Sequence, residues 1–191
     1  MESVILARHG ESVFSARGLV NGDVAVSCPL TERGEEEARA LGEALAGEPI
    51  ELCVTSEFER ARQTADLALA GRDVPRLVLA ELNDPRYGDF EGGRLDEFRD
   101  WAWAHGSADA PPGGESRREL VERYARGYRL FLRRPETSLL VVAHSLPIAY
   151  ALAEPRPRMQ MVEHASAHRL TAEELRAAVE RLEAWLEAPT W

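Results

Sequence analysis

The residues able to do chemistry in this chain are scattered, but each follows a short apolar run. Arg8 and His9 close the run Val4-Ile5-Leu6-Ala7 and lead into Gly10 and Glu11. Arg60 lies just past the run at 50–55, Asp84 just past Leu77-Val78-Leu79, and His144 directly after Leu139-Leu140-Val141-Val142-Ala143. Guanidinium groups are planar forks that bind phosphate oxygens two at a time. A neutral imidazole is a competent nucleophile, and a nearby carboxylic acid can protonate a leaving alkoxide. Two guanidiniums, two imidazoles and one carboxyl group meeting in a crevice would make an inventory for phosphoryl transfer without a metal.

Whether they meet depends on the elements that carry them. Each run is too short for a stable helix and of the right length for a buried strand. In parallel sheets, ligands gather at the carboxyl ends of the strands, which is where these residues fall. Between the strands, Thr31 reads as a helix N-cap followed by Glu35, Glu36 and Glu37, with Ala38, Leu41 and Leu45 as the apolar face. Ser56 with Glu59 has the capping-box pattern, predicting a helix to about residue 70 with Arg60 in its first turn. Ser116 with Glu119 and Thr171 with Glu174 repeat the pattern ahead of two amphipathic stretches. Leu95, Phe98, Trp101 and Ala102 predict another helix, Pro147 suits the first turn of a further one that Pro155 ends, and residues 162–170 hold a last strand. Strands alternating with helices predict an α/β single-domain three-layer sandwich over residues 1–191, with a mostly parallel central sheet and helices on both faces. Residues 83–114 are turn-rich and read as a substrate-side excursion within it.

Composition narrows the function. A formal charge of −10 argues against nucleic acid or an anionic membrane as partner, but leaves room for a local arginine cluster that binds a small anion. All 23 basic residues are arginine, which rules out Schiff-base chemistry and a P-loop lysine. Cys28 and Cys53 have no metal spacing and read as reduced thiols. With no leader pattern at the N-terminus and no apolar run approaching ~18 residues, the expectation is a soluble cytoplasmic protein.

Six segments together resemble one family. Leu6-Ala7-Arg8-His9-Gly10-Glu11-Ser12 is similar to the signature of the histidine phosphatase superfamily, which includes the cofactor-dependent phosphoglycerate mutases. Pro29-Leu30-Thr31-Glu32-Arg33-Gly34 resembles its next motif, and the stretch from Thr55 through Arg60 to Ala65 resembles the segment supplying a second arginine. Leu82-Asn83-Asp84 with Gly88-Asp89-Phe90-Glu91-Gly92 resembles the proton-donor segment. Gly113-Gly114-Glu115-Ser116 and Val141-Val142-Ala143-His144 resemble the last two, in family order. The resemblance implies a phosphoglycerate mutase-like fold and a phosphomonoester hydrolase that needs no metal and no cofactor. His9 would become phosphohistidine, Arg8, Arg60 and His144 would hold the phosphoryl oxygens, and Asp84 would protonate the leaving group.

The chain departs from the family pattern in places. Many members have Glu where this chain has Asp84, which leaves Glu81 as the alternative acid. Ser15 stands where Asn is common near the phosphate and is expected to donate from its hydroxyl. Glu11 has no assigned role. His164 and His168 have the i,i+4 spacing of a metal pair, but the stretch reads as extended, so no metal site is expected. Arg62 reads as a surface residue, and Trp101 as core, with Trp103 open. The expected partner is a small phosphorylated substrate, with a homodimer compatible. Two rivals stand beside hydrolysis: a mutase-type isomerase, which Arg86 and Tyr87 partly resemble, and a phospho-ligand binding protein that has lost catalysis.

Overall fold

The computed structural model describes residues 1–156 and 160–190. Five strands, β1 (Ser3–Arg8), β2 (Leu52–Thr55), β3 (Arg76–Val78), β4 (Ser138–Ala143) and β5 (Ala167–Thr171), form one sheet in the order β3-β2-β4-β1-β5. The first four run parallel, and β5 lies antiparallel to β1 at the edge. The register sets Arg8 opposite Ala143 and Thr55 opposite Val142, so three strands end level at one rim.

Residues alternate between the two faces of a strand, and both faces of this sheet are covered, which explains the unbroken apolar runs of β1 and β4. Ile5, Ala7, Leu140 and Val142 pack under α1 (Glu32–Ala44) and α2 (Glu59–Ala68), with Leu41, Leu45, Ala61 and Ala65. Val4, Leu6, Leu139 and Val141 face the other way and pack with Tyr124, Phe131, Ile148, Leu175 and Leu182. Those residues belong to α4 (Arg117–Leu132), α5 (Ser145–Leu152) and α6 (Ala172–Glu187). The remaining helix, α3 (Leu95–Ala104), has no fully buried residue. Among the described residues, no helix is long and apolar enough to cross a membrane.

Three of the four helix starts read from side-chain caps are built as expected: Thr31 accepts from the Gly34 amide, and Ser116 and Thr171 form complete capping boxes. Ser56 does not cap. The helix starts after Phe58 with no side-chain cap, because the Ser56 hydroxyl, placed at the end of β2 beside β4, bonds His144 instead. Glu59, read as its partner, accepts from Ser27 Oγ and the Cys28 amide. The last strand is also shorter than the predicted 162–170. It begins only at Ala167, because the preceding residues are wrapped as a turn onto β1, with Arg8 N donating to Ser166 O at 3.1 Å.

The loop after β1 is held where it is by glycine. Gly10 and Gly34 meet backbone to backbone, and a Cβ on Gly34 would lie 1.9 Å from the carbonyl oxygen of Glu11. Alanine normally favours a helix over glycine by about 1 kcal/mol, so the sign of Gly34→Ala separates propensity from packing. The expected result in urea denaturation is a loss of about 1–3 kcal/mol, the range for forcing atoms into a packed space.

Candidate active site

The level rim opens into a cleft of about 850 Å³, with Arg8, His9, Arg60 and Asp84 at its floor. The His9 and His144 rings, at the ends of neighbouring strands, lie 5.1 Å apart. His9 Nδ1 donates to the Gly10 carbonyl at 2.7 Å. A carbonyl can only accept, so the proton sits on Nδ1 and the lone pair on Nε2, toward which Arg60 Nε donates at 3.3 Å. His144 is set by the same reasoning. Its Nδ1 donates to Asp84 Oδ2 at 3.0 Å, so its Nε2 accepts from Ser56 Oγ at 2.8 Å. Arg60 Nη2 donates to the same Asp84 oxygen at 2.7 Å, while Nη1 and Nη2 donate to the side-chain and backbone oxygens of Asn21.

Each of these groups is braced from behind. The Gly10 amide donates to Thr64 Oγ1, which in turn donates to the Arg60 carbonyl, joining the His9 loop to the first turn of α2. Arg123 on α4 grips Glu115 with two bonds, at 2.9 and 2.7 Å, and donates to the carbonyls of Ala80, Glu81, Asn83 and Asp84. Tyr124 adds a bond to the Asn83 carbonyl, and the Asn83 amide pairs with Glu57. Arg8 Nη1 donates to the Val162 carbonyl, and its buried Nε has no protein partner among the described residues.

Burial, with Arg60, His144 and Arg8 nearby, holds His9 well below the ordinary imidazole range. Burial likewise pushes His144 down to about 4, against the pull of Asp84. Burial pushes the Asp84 carboxyl up, but His144, Arg60 and His9 more than reverse this and hold it well below the usual carboxylate range. At neutral pH the floor of the cleft therefore holds two neutral imidazoles, one carboxylate and two guanidiniums. It carries a surplus positive charge and suits an anion. Donor atoms of His9, Asp84 and His144 lie within 4.8 Å of one another, close enough to hold a cation. The two guanidiniums facing the same space oppose one.

The structure brings together Arg8, His9, Arg60, Asp84 and His144. Glu81, the alternative acid, packs against Gly127 of α4 and stays outside the cleft. Ser15 lines the cleft, but its hydroxyl accepts from the Ser12 amide and donates to the Ser12 carbonyl. Glu11 turns toward α1, accepting from Thr31 Oγ1 at 2.9 Å and lying 3.8 Å from Arg33. His164 and His168 do not pair: His164 sits in a turn with its ring 5.8 Å from His9, while His168 on β5 meets Ser166. Trp101 is not core. It lies in an aromatic cluster with Phe90, Phe98 and His105 on the cleft wall, where Trp103 is half exposed. Arg62 is on the surface, as read. Asn21 and Ser56 were missed as site residues: Asn21-Gly22 looks like a turn and Ser56 like a cap, and neither residue carries a charge to draw attention.

A parallel sheet that gathers guanidiniums, neutral imidazoles and a carboxylate at its strand ends defines an α/β protein built to take a phosphoryl group. The family model of the histidine phosphatase superfamily (branch 1) matches residues 4–184, and the chain belongs to that superfamily. It is 36% identical over 169 residues to an adenosylcobalamin/alpha-ribazole phosphatase of Salmonella typhimurium, covering 78% of this chain and 79% of the relative. It is 32% identical over 170 residues to a 2,3-bisphosphoglycerate-dependent phosphoglycerate mutase of Gloeobacter violaceus, covering 81% and 75%. The crystal structure of the alpha-ribazole phosphatase from Shigella flexneri superposes with a TM-score of 0.74 at 30% identity, covering 87% of this chain and 89% of that one.

The buried histidines make stability depend on pH. Unfolded, His9 and His144 take up protons near pH 6.5, while in the folded chain they stay neutral to much lower pH. Between about pH 6.5 and 4 the unfolded state therefore binds more protons, and stability falls as pH falls. The stabilisation from ionised Asp84 is present above its unfolded pKa and is lost further down. Thermal melts are expected to give a Tm that is level above pH 7 and declines from 6.5 to 4; a level Tm across that window contradicts the assignment.

Proposed function

We propose that this chain hydrolyses phosphomonoesters through a phosphohistidine on His9, without a metal, with Asp84 as the acid. The observation that carries the reading is His9 itself, a neutral ring held by its Nδ1–H with the Nε2 lone pair facing Arg60 in the cleft. In the first step Nε2 attacks phosphorus while Arg8 and Arg60 hold the equatorial oxygens and take up charge as it shifts, joined by His144 when its Nδ1–H turns from Asp84 to a phosphoryl oxygen. The bond from phosphorus to the ester oxygen breaks, and Asp84 gives that oxygen a proton. In the second step the Asp84 carboxylate takes a proton from water, the oxygen attacks phosphorus, and inorganic phosphate leaves with His9 neutral again.

His144 and Arg60 hold Asp84 as a carboxylate, so its proton must come with the substrate. An incoming phosphate competes for Arg60, and its negative charge beside Asp84 raises the carboxyl pKa. Ser15 reaches a phosphate oxygen only by giving up the bond that its hydroxyl donates to the Ser12 carbonyl.

The outer cleft favours hydrolysis over mutase-type transfer. Retaining a phosphorylated intermediate calls for a second cationic site. Here Arg99, Arg117 and Arg156 are matched in number by Asp96, Asp100 and Asp109 on the same walls, and Arg86 is outside the cleft. The walls formed by residues 83–114 carry Tyr87, Leu95, Phe98, Trp101 and Trp103, a surface for an apolar leaving group rather than for a second phosphate. We place the protein in the cytoplasm, in keeping with two buried free thiols.

Acid-quenched mixing with a labelled phosphomonoester is expected to leave the label on His9, and His9→Ala to abolish turnover; turnover retained in that variant refutes the mechanism. Chelation by EDTA should leave the rate unchanged. Asp84→Asn is expected to slow alkyl phosphates by roughly 10²–10⁴-fold, the usual worth of a general acid, and p-nitrophenyl phosphate far less. Equal losses on both would take the acid role from Asp84. Faster interconversion of phosphoglycerates than release of phosphate would identify a mutase.

A further inference from the structure

One imidazole near the nucleophile has no part in this scheme. His164 lines the cleft, and its ring centroid is 5.8 Å from that of His9 at an angle of 44°. Its Nε2 is shielded from solvent and has no hydrogen-bond partner among the described residues. Native proteins rarely leave a buried polar atom unpaired, and such an atom beside a reactive group calls for an explanation.

The turn that presents His164 is built onto the site. Arg8 reaches it twice, through its backbone amide to the Ser166 carbonyl at 3.1 Å and through Nη1 to the Val162 carbonyl. The Ala165 amide faces the His9 carbonyl at 3.4 Å, and the Val162 amide donates to Ser145 Oγ at 2.9 Å. Ala165 has φ 49°, the only non-glycine residue with positive φ among those described. A left-handed alanine is strained, and such strain is kept where surrounding contacts enforce it, often at ligand clamps. Two unfavourable features, a strained residue and an unpaired nitrogen, thus adjoin each other at the nucleophile.

We propose that His164 is a further catalytic residue of this reaction, its ring turning out of the position that shields Nε2 so that Nε2–H donates to an oxygen of the phosphoryl group on His9 from the side of Arg8. The substrate supplies the partner that the protein withholds. Burial and the neighbouring Arg8 hold this ring down to about 4, so at neutral pH it meets the phosphoryl group as an uncharged donor. It then adds a directed hydrogen bond without adding to the positive charge that already keeps Asp84 ionised.

The proposal rests on phosphorylation of His9, and its test reads the two separately. A hydrogen bond to a charged acceptor corresponds to roughly 10–100-fold. His164→Ala is therefore expected to lower kcat/KM by that factor and to raise the inhibition constant of orthovanadate in parallel. His164→Gln, whose amide N–H can stand near the place of Nε2, is expected to recover most of both. Urea midpoints should be close to wild type, since the ring has no hydrogen bond to lose among the described residues. Wild-type kcat/KM and vanadate inhibition in His164→Ala would overturn the proposal. So would equal losses in both variants accompanied by a lowered urea midpoint, which would mark a packing role. Failure of the wild type to label at His9 would instead overturn the phosphohistidine reading beneath it.

Discussion

The Arg60 guanidinium is the junction on which the site depends. It donates to His9 at the end of β1, to both oxygens of the Asn21 loop and to Asp84 beyond β3, and it lies 4.2 Å over the Phe58 ring. The Arg60 and Asp84 side chains are only 4% and 17% exposed. Removing such a pair from water costs about as much as the attraction returns, so it is poor evidence for stability. Its value is organisational. One rigid fork fixes the relative positions of three loops that the sheet alone would leave loose. The site is then assembled in advance, with the Asp84 carboxylate offsetting part of its positive charge.

How much of this was legible in the sequence follows from the range of the forces involved. Both-face burial of a strand leaves an unbroken apolar run, so β1, β2 and β4 stood out, together with Arg8 and His9 at the end of β1 and His144 at the end of β4. The caps of α1, α4 and α6 could be read because a cap is a contact between residues three apart. The same local pattern failed at Ser56, where a non-local partner, His144, competes for the hydroxyl. Asn21 was hidden for a related reason: its role is to accept from Arg60, 39 residues away, and nothing within its own turn reveals that. Trp101 shows the limit of periodicity. Helical spacing identifies the apolar face of α3, but that face meets other aromatic side chains on the cleft wall and not the core.

The turn at 162–166 was misread as strand for a physical reason as well. Its residues have no turn composition, since no glycine, proline or asparagine occurs between Val162 and Ser166. The conformation is imposed from outside by Arg8 and His9, whose backbone groups must be paired once β1 ends and β5 has yet to begin. The sheet thus completes its edge and closes the pocket with the same few hydrogen bonds. That economy explains why the edge strand is antiparallel: the chain passes over the rim next to His9 and then returns along β1 from that end.

The aspartate at position 84 raises the question of reach. A glutamate could adjust through an extra methylene, whereas an aspartate must be delivered by its backbone. The surroundings meet that requirement. Arg123, itself held by Glu115, ties down carbonyls from Ala80 to Asp84, and Tyr124 holds Asn83 from the core side. On the other flank Gly88, at φ 58°, lies against the backbone of residues 112–114, where a Cβ would fall 2.2 Å from the Pro112 carbonyl. The segment carrying Asp84 is therefore braced at both ends by contacts that leave it little freedom. A short side chain on such a support loses less entropy on reaching its position than a long one would, and rigidity of the loop takes the place of length in the side chain.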